Sequence, residues 1–252
     1  MKHILPKISV ITVCYNSHDS IENTILSIIN QDYPNLEYII VDGLSNDGTI
    51  DIIKKYSDKI SKFISDRDQG IYDAMNKGID LATGDWINFM NSGDSFVNNL
   101  ILSKVFVQSS NLYDVVFGDC ILNDKGELNY FHTTPFYLNK KNLGINICHQ
   151  SIFVKTELIK TNKFNLLYKI CADYEMIYKL HKQGFSFLQL EFPICIYQTG
   201  GGISSTFESQ IKVLYENTKI ESNFLSLKFY RNLLKLLLKI ISKRINKKLF
   251  GN

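Results

Sequence analysis

Three apolar runs within the first 100 residues end in the same way. Residues 8–14 stop at Tyr15-Asn16, residues 36–41 stop at Asp42-Gly43, and residues 86–90 stop at Asn91-Ser92-Gly93-Asp94. Short runs rich in β-branched and aromatic residues, bounded by Gly, Asn and Asp, predict buried strands. Between them the period changes. Ile21, Ile25, Ile28 and Ile29 recur at helical spacing, and Asp19 with Glu22 three positions later predicts a capping box. Asp47-Gly48-Thr49 opens a second helix with Ile50, Ile53 and Tyr56 on one side; residues 63–65 read as a short third strand and residues 71–82 as a helix. Strands alternating with helices imply parallel βαβ units. Ligands of such open sheets lie beyond the carboxyl ends of the strands, so the three polar run ends describe one rim of one site.

After Asn98 the alternation loosens. A helix is expected around residues 100–108, a strand at 115–118, a hairpin turn at Asn123-Asp124-Lys125-Gly126, a helix over 172–183 and a strand over 185–190. Gly200-Gly201-Gly202 reads as a mobile lid. The pattern is that of an α/β domain over residues 1–205, in two halves (1–98 and 99–205), followed by a helical tail over 206–252.

Charge changes the picture only at that tail. From Lys228 onward there are eight basic residues and no acidic one, so the formal net charge of +3 divides into a basic end and a remainder of −5. On a helical wheel Lys228, Arg231, Lys235, Lys239, Lys243 and Lys247 share one arc opposite Leu234, Leu237, Ile241 and Ile245. A basic amphipathic helix suits an anionic membrane surface, where each basic residue contributes about 1 kcal/mol; packing on the body or on a second subunit is the other use of such a face. No apolar stretch reaches the roughly 18 residues of a membrane span, and residues 8–15 read as a first strand rather than a signal peptide. The five cysteines are odd in number and far apart, with no Cys-x-x-Cys pair, which argues against a disulfide framework and a zinc knuckle and for a reducing compartment.

The rim residues have more than one chemical reading. Asp94 with Asn91 offers oxygen ligands to Mg2+ or Mn2+, and equally fits a turn acid capping the helix after Asn98. Asp42 suits hydrogen bonds from a base or ribose, whereas Asp47 reads as a helix cap. Arg67, Asn76 and Lys77 either meet a diphosphate or line a solvated helix face.

Taken in order, Tyr15-Asn16, Val41-Asp42-Gly43 with Asp47-Gly48-Thr49, residues 68–78, and Gly84-Asp85 leading to Asn91-Ser92-Gly93-Asp94 resemble the inverting glycosyltransferases of family two, which have the GT-A fold. Within that family, residues 70–78 resemble enzymes that build bacterial surface polysaccharides. The likeness is close over roughly the first 100 residues and looser to about Ser205. Each motif is weak by itself; four in the family's order are strong. The fold implied is α/β: a Rossmann-like, mostly parallel sheet flanked by helices, with a mixed second half and a C-terminal amphipathic helix.

The resemblance implies that residues 1–98 bind the nucleotide and residues 99–205 face the acceptor. Tyr15 and Asp42 would contact the donor base, and Asp68 and Asn76 would frame the ribose and diphosphate. Asp94 occupies the last position of the family's metal-binding Asp-x-Asp, with Asn91, a neutral and weaker ligand, at the first. The family's paired acids of the base-binding loop are here Asp42-Gly43. Ala172-Asp173-Tyr174-Glu175 resembles the acidic motif at the head of the acceptor-side helix, which makes Asp173 the general base and Glu175 its substitute. Without the resemblance, Asp173 reads as a carboxylate stabilised by the helix dipole. His149, in Cys148-His149-Gln150-Ser151, is an acceptor-side residue by the same likeness.

The expectation is therefore a transferase with a divalent metal, Mg2+ or Mn2+. It takes a sugar from a nucleoside diphosphate, UDP favoured, to a lipid-linked or oligosaccharide acceptor, from the cytoplasm at the inner face of the cytoplasmic membrane. Nucleic acid is not expected as a partner, and the sequence leaves the oligomeric state open. Two rivals stand beside it. A nucleotidyltransferase shares the architecture but needs a glycine- and basic-rich phosphate loop that does not follow the first run. A degenerate donor-binding or scaffolding protein would explain Asn91, against which the acids Asp94 and Asp173 count.

Overall fold

The computed structural model describes residues 5–108, 112–133, 148–199, 207–221 and 234. The chain divides into two compact units, Met1–Gly201 and Gly202–Asn252. In the first, β1 (Ile8–Cys14), β2 (Leu36–Asp42), β3 (Lys62–Ser65) and β4 (Trp86–Phe89) alternate with α1 (Ile21–Ile29), α2 (Thr49–Lys54) and α3 (Ile71–Leu81). The four strands are parallel in the order β3-β2-β1-β4. A helix connects β1 to β2 and β2 to β3, as parallel pairing of successive strands requires.

The second half completes the sheet from the other side. It comprises β5 (Ser95–Phe96), α4 (Ile101–Gln108), β6 (Val115–Asp124), β7 (Glu127–Phe131), a 3-10 turn (His149–Ser151), β8 (Ile152–Lys155), α5 (Thr156–Thr161), α6 (Ala172–Lys182) and β9 (Phe187–Gln198). The order continues from β4 through β8, β6, β9 and β5, with β7 paired to β6, which makes nine strands among the described residues. β8 runs antiparallel to both β4 and β6, so the reversal falls beside the strand that carries Asp94.

The period of two along β1 sorts its side chains onto two cores. Ile8 and Val10 pack with Ile21, Ile25 and Ile28 of α1, whereas Ile11 and Val13 pack with Tyr72, Met75 and Ile79 of α3. Each helix thus covers one face of a sheet that is buried on both sides. Gly78 lets α3 lie close: a Cβ there would meet the Ile11 side chain at 2.5 Å.

Most expected elements are present, with shifted ends. The strand expected at 115–118 extends to Asp124 and that at 185–190 to Gln198, because β6 and β9 pair along most of their lengths. The hairpin turn is a tight one, with Lys125 at φ 52° and Gly126 at φ 96°. The capping box is not formed. Asp19 instead meets His18 Nδ1 at 2.9 Å, Glu22 Oε1 accepts the Tyr56 hydroxyl at 2.7 Å, and α1 starts after Ser20 without a side-chain cap. The second unit contains α7 (Phe207–Ile220). The basic residues from Lys228 onward and the Gly200-Gly201-Gly202 run lie outside the described residues. No helix among the described residues is long and apolar enough to cross a membrane.

Candidate active site

Three strand ends build the first part of the site. Beyond β1, Tyr15 stands 63% exposed and Asn16 takes a left-handed φ of 47°. That turn lets Asn16 grip the facing loop, its N–H donating to Ser45 Oγ (2.8 Å) and its Oδ1 accepting from Asn46 N–H (3.0 Å). The Asp42 carboxylate at the end of β2 is buried and is satisfied by its surroundings: Ser45 N–H at 3.0 Å, the Ser65 hydroxyl at 2.7 Å and the Ser45 hydroxyl. Beside it, a Cβ on Gly43 would meet Asp68 Oδ2 at 2.6 Å and the Tyr15 ring at 3.4 Å. Tyr15, Asp42 and Asp68 therefore converge around Gly43, where any side chain would push Asp68 aside.

Two neighbouring expectations resolve differently. Asp47 serves the start of α2, accepting Thr49 N–H at 3.0 Å, although the capping position itself is Gly48 at φ 93°. Asn76 is not brought to this rim. Its amide donates to Phe164 O (2.9 Å) and accepts from Phe164 N–H (3.0 Å), tying α3 to the segment before α6.

At the end of β4 the chain turns sharply. Asp94 N–H returns to Asn91 O at 3.0 Å, with Gly93 at φ 99° in the position where such a turn needs a left-handed residue. Thr24 of α1 pins the turn, its hydroxyl donating to Asp94 O (2.7 Å) and accepting from Gly93 N–H (3.0 Å). The Asp94 side chain is 5% exposed. Its donors are neutral: Gln150 Nε2 at 2.5 Å and Gln198 N–H at 2.9 Å. Burial outweighs them and pushes the carboxyl up to about 6.

A line of hydrogen bonds crosses from this turn to α6. Asn91 Nδ2 meets His149 Nε2 at 2.9 Å, and His149 Nδ1 meets Asp173 Oδ2 at 3.2 Å. An amide donor on Nε2 assigns the ring proton to Nδ1, which then donates to Asp173. Asp173 Oδ1 accepts from the Tyr72 hydroxyl (2.9 Å) and from Tyr174 N–H (2.8 Å). Burial raises this carboxyl, but the bonds from His149, Tyr174 and Tyr72 prevail and hold it below the usual carboxylate range. Its place in the first turn of α6 adds the helix dipole in the same sense. A small apolar hollow lined by Phe89, Phe164 and Met176 borders both His149 and Asp173. Glu175, two positions on, points roughly 200° away round the helix and is raised by burial.

The structure thus joins Asn91, His149 and Asp173, gathers Tyr15, Asp42 and Asp68, and sets Asn76 and Glu175 apart. It also brings in Tyr72, Gln150 and Gln198, which were not candidates. Tyr72 and Gln150 lie inside motifs already quoted, and that adjacency was the available signal. The Asp94 turn can accept a hard cation: Asn91 Oδ1 is buried without a hydrogen-bond partner, and each carboxylate oxygen of Asp94 has a second lone pair.

A sheet of this order with its acids at the carboxyl edge is the architecture of GT-A glycosyltransferases. Among solved structures, a TarS fragment from S. aureus in complex with UDP-GlcNAc superposes with a TM-score of 0.67 at 21% identity, over 87% of this chain and 71% of that one. The UDP complex of TarS is matched over 83% of this chain, which spans only 65% of that chain (TM-score 0.62, 20% identity). Mannosyltransferase PcManGT from Pyrobaculum calidifontis, in complex with GDP-Man and Mn2+, gives a TM-score of 0.67 at 17% identity, over 93% of this chain and 69% of that one. These establish the fold. The family model described as Glycosyl transferase family 2 matches residues 9–172, and the chain belongs to that family. A PGL/p-HBAD biosynthesis glycosyltransferase of Mycobacterium tuberculosis is 32% identical over 208 residues, 80% of each chain. A GalNAc(5)-diNAcBac-PP-undecaprenol beta-1,3-glucosyltransferase of Campylobacter jejuni is 33% identical over 128 residues, 49% of this chain and 41% of its own. The protein is accordingly a glycosyltransferase, and the scaffolding alternative is not favoured.

Proposed function

We propose that this enzyme transfers a sugar, with inversion, from a nucleoside-diphosphate donor, a UDP-sugar favoured, to a growing lipid-linked surface glycan. The observation that carries the reading is the line from Asn91 through His149 to Asp173. It links the strand-end turn, suited to a diphosphate and its cation, with a charged carboxylate across the site. Inversion requires that separation, because the base acts on an acceptor hydroxyl that attacks from the face opposite the leaving diphosphate.

On this reading Tyr15 offers its exposed ring to the base, and Asp42 holds the 43–46 loop that shapes the pocket. Asp68 presents carboxylate oxygen to ribose hydroxyls. Asn76 acts indirectly, by anchoring the helix that carries Tyr72. A Mg2+ or Mn2+ ion held by Asp94 and Asn91 would offset negative charge developing on the departing diphosphate. Asp173 receives the acceptor proton on Oδ2, which keeps a lone pair beyond the one used by His149. His149 and Tyr72 hold that carboxylate in place and ionised, and Glu175 lies further along the acceptor side. The UDP and UDP-GlcNAc complexes of TarS and the GDP-Man and Mn2+ complex of PcManGT support the donor class and the ion. The Campylobacter relative, named for an undecaprenol-linked substrate, supports the acceptor class.

Residues 1–98 form the nucleotide-binding half of this reading and residues 99–205 the acceptor-side half. Residues 206–252 form a basic tail that holds the enzyme on the inner face of the cytoplasmic membrane, beside its acceptor. Truncation after Ser222 is expected to release the protein from anionic vesicles; equal partitioning with and without the tail ends that part of the proposal.

The central test is Asp173→Asn. Transfer is expected to fall about 10³-fold, with donor affinity unchanged. Undiminished turnover removes Asp173 as base. A thermal-shift panel of UDP, GDP, CMP and dTDP, each with and without Mn2+, identifies the donor class, since a ligand of the native state raises its melting temperature. Stabilisation that needs both UDP and Mn2+ is expected; a shift with another nucleotide replaces UDP.

A further inference from the structure

Cys120, Cys148 and Cys195 are widely separated in the chain, yet their Sγ atoms all lie within 4.8 Å of one another. β6 and β9 supply two of them, since Cys120 and Cys195 are register partners in that parallel pair and both are buried. Cys148 enters from the residue before the 3-10 turn and is the least buried residue of the three. The three thiols hydrogen bond one another. Bonds from Cys148 and Cys195 hold Cys120 well below the usual thiol range, while that same bond raises Cys148, and burial raises Cys195. Thiolate is the form that ligates metals, and the three converging sulfurs supply the ligand set.

We propose that Cys120, Cys148 and Cys195 form a binding site for one soft divalent cation of the zinc class, with water in the fourth position. Three sulfurs, converging without any carboxylate or imidazole among them, select zinc-like ions over Mg2+ or Mn2+. Thiolates bound tetrahedrally at about 2.3 Å sit roughly 3.8 Å apart, and the three sulfurs already lie within 4.8 Å of one another. The site is distinct from the Asn91–Asp94 turn but connected to it. Cys148 Sγ donates to Gln150 Oε1 (2.8 Å), and the Nε2 of the same amide donates to Asp94 Oδ2 (2.5 Å). Metal binding removes the Cys148 proton and leaves the Gln150 carbonyl facing a thiolate. The amide must then turn, so occupancy of the thiol site alters the donor set of Asp94.

The experiment titrates the reduced full-length protein with Cd2+ and then with Zn2+, reading the thiolate-to-cadmium absorption, which oxygen and nitrogen ligands do not produce. One equivalent of Cd2+ is expected to saturate the band, and Zn2+ to displace it. Cys148→Ser is the informative variant because Cys148 is the least buried of the three, lies outside the strands, and serine keeps its size and its hydrogen bond to Gln150. It is expected to weaken Cd2+ binding at least about 10-fold. A second measurement avoids mutation: Zn2+ should protect Cys148 from alkylation by iodoacetamide and shift the Gln150 side-chain amide resonances. Absence of the absorption band, equal binding by Cys148→Ser, or alkylation of Cys148 at the same rate with and without Zn2+ would each overturn the proposal.

Discussion

Two carboxylates are buried at opposite ends of the parallel strands, and their surroundings differ in kind. Glu37, at the amino end, accepts from the Ser9 hydroxyl (2.6 Å), the Thr83 hydroxyl (2.6 Å) and Thr83 N–H (2.8 Å), and lies 3.2 Å from Lys7 Nζ and 3.5 Å from Lys62 Nζ. Burial works against its charge, but these bonds prevail and bring it down to about 2. Asp94, at the carboxyl end, has two amide donors, and burial takes it up to about 6. One acid is compensated within the fold and closes the bottom of the sheet. The other keeps uncompensated charge, next to an asparagine oxygen that is buried without a partner. In a fold whose ligands meet the carboxyl edge, the second pattern is what the proposed cation at Asp94 would complete.

The largest effect should come from breaking the upper end. Asp94→Ala is expected to lower transfer roughly 10²–10³-fold and to abolish any Mn2+-dependent gain in UDP stabilisation, measured by turnover and thermal shift. Unchanged metal titration would remove Asp94 as a ligand. Breaking the lower end should cost stability instead. Glu37→Gln is expected to lose about 2–3 kcal/mol of unfolding free energy at neutral pH, with donor affinity intact in the folded protein.

The two acids should also respond to pH with opposite signs. Glu37 has a folded-state pKa lowered from 4.5 to about 2, so its contribution is present above about 4.5 and is lost as the pH falls to about 2. Asp94 is raised from 3.8 to about 6, so the native state holds a proton that the unfolded chain releases, and its charge costs stability as pH rises through that window. Denaturation from pH 3 to pH 7 should therefore show Glu37→Gln losing ground to the wild type with rising pH and Asp94→Asn gaining, each on the order of 2 kcal/mol. Parallel curves would refute the contrast. The smallest effect is expected of Gly43→Ala: its Cβ would displace the Asp68 carboxylate and weaken nucleotide binding about 10-fold, leaving the melting temperature of the free protein near that of the wild type.

Much of the upper edge was legible beforehand because its signals are local. Residues 8–14 and 36–41 are continuous apolar runs, as strands buried on both faces require, and Gly93 and Gly126 stand where left-handed backbone is needed. The order of the second half was not legible. β8 has only four residues and sits between β4 and β6 through pairings that span long stretches of chain, so no periodicity announces it. The capping box failed for the opposite reason, in that a correct local pattern lost its partners to tertiary contacts: Glu22 goes to Tyr56.

The strands and helices of the first half, the turn that delivers Asp94 and the helix that opens on Asp173 were written in the chain, since the pattern that marks each lies within a few residues. Only the tertiary structure decided what those groups meet. Asp173 and Asn91 are joined by His149, Asp94 is joined through Gln150 to three cysteines, and Asn76 is drawn away to Phe164. Hydrogen bonds and ligand sets act over about 3 Å in space, and the residues that fall within that distance are set by how sheet and helices pack, a relation that spacing along the chain does not carry.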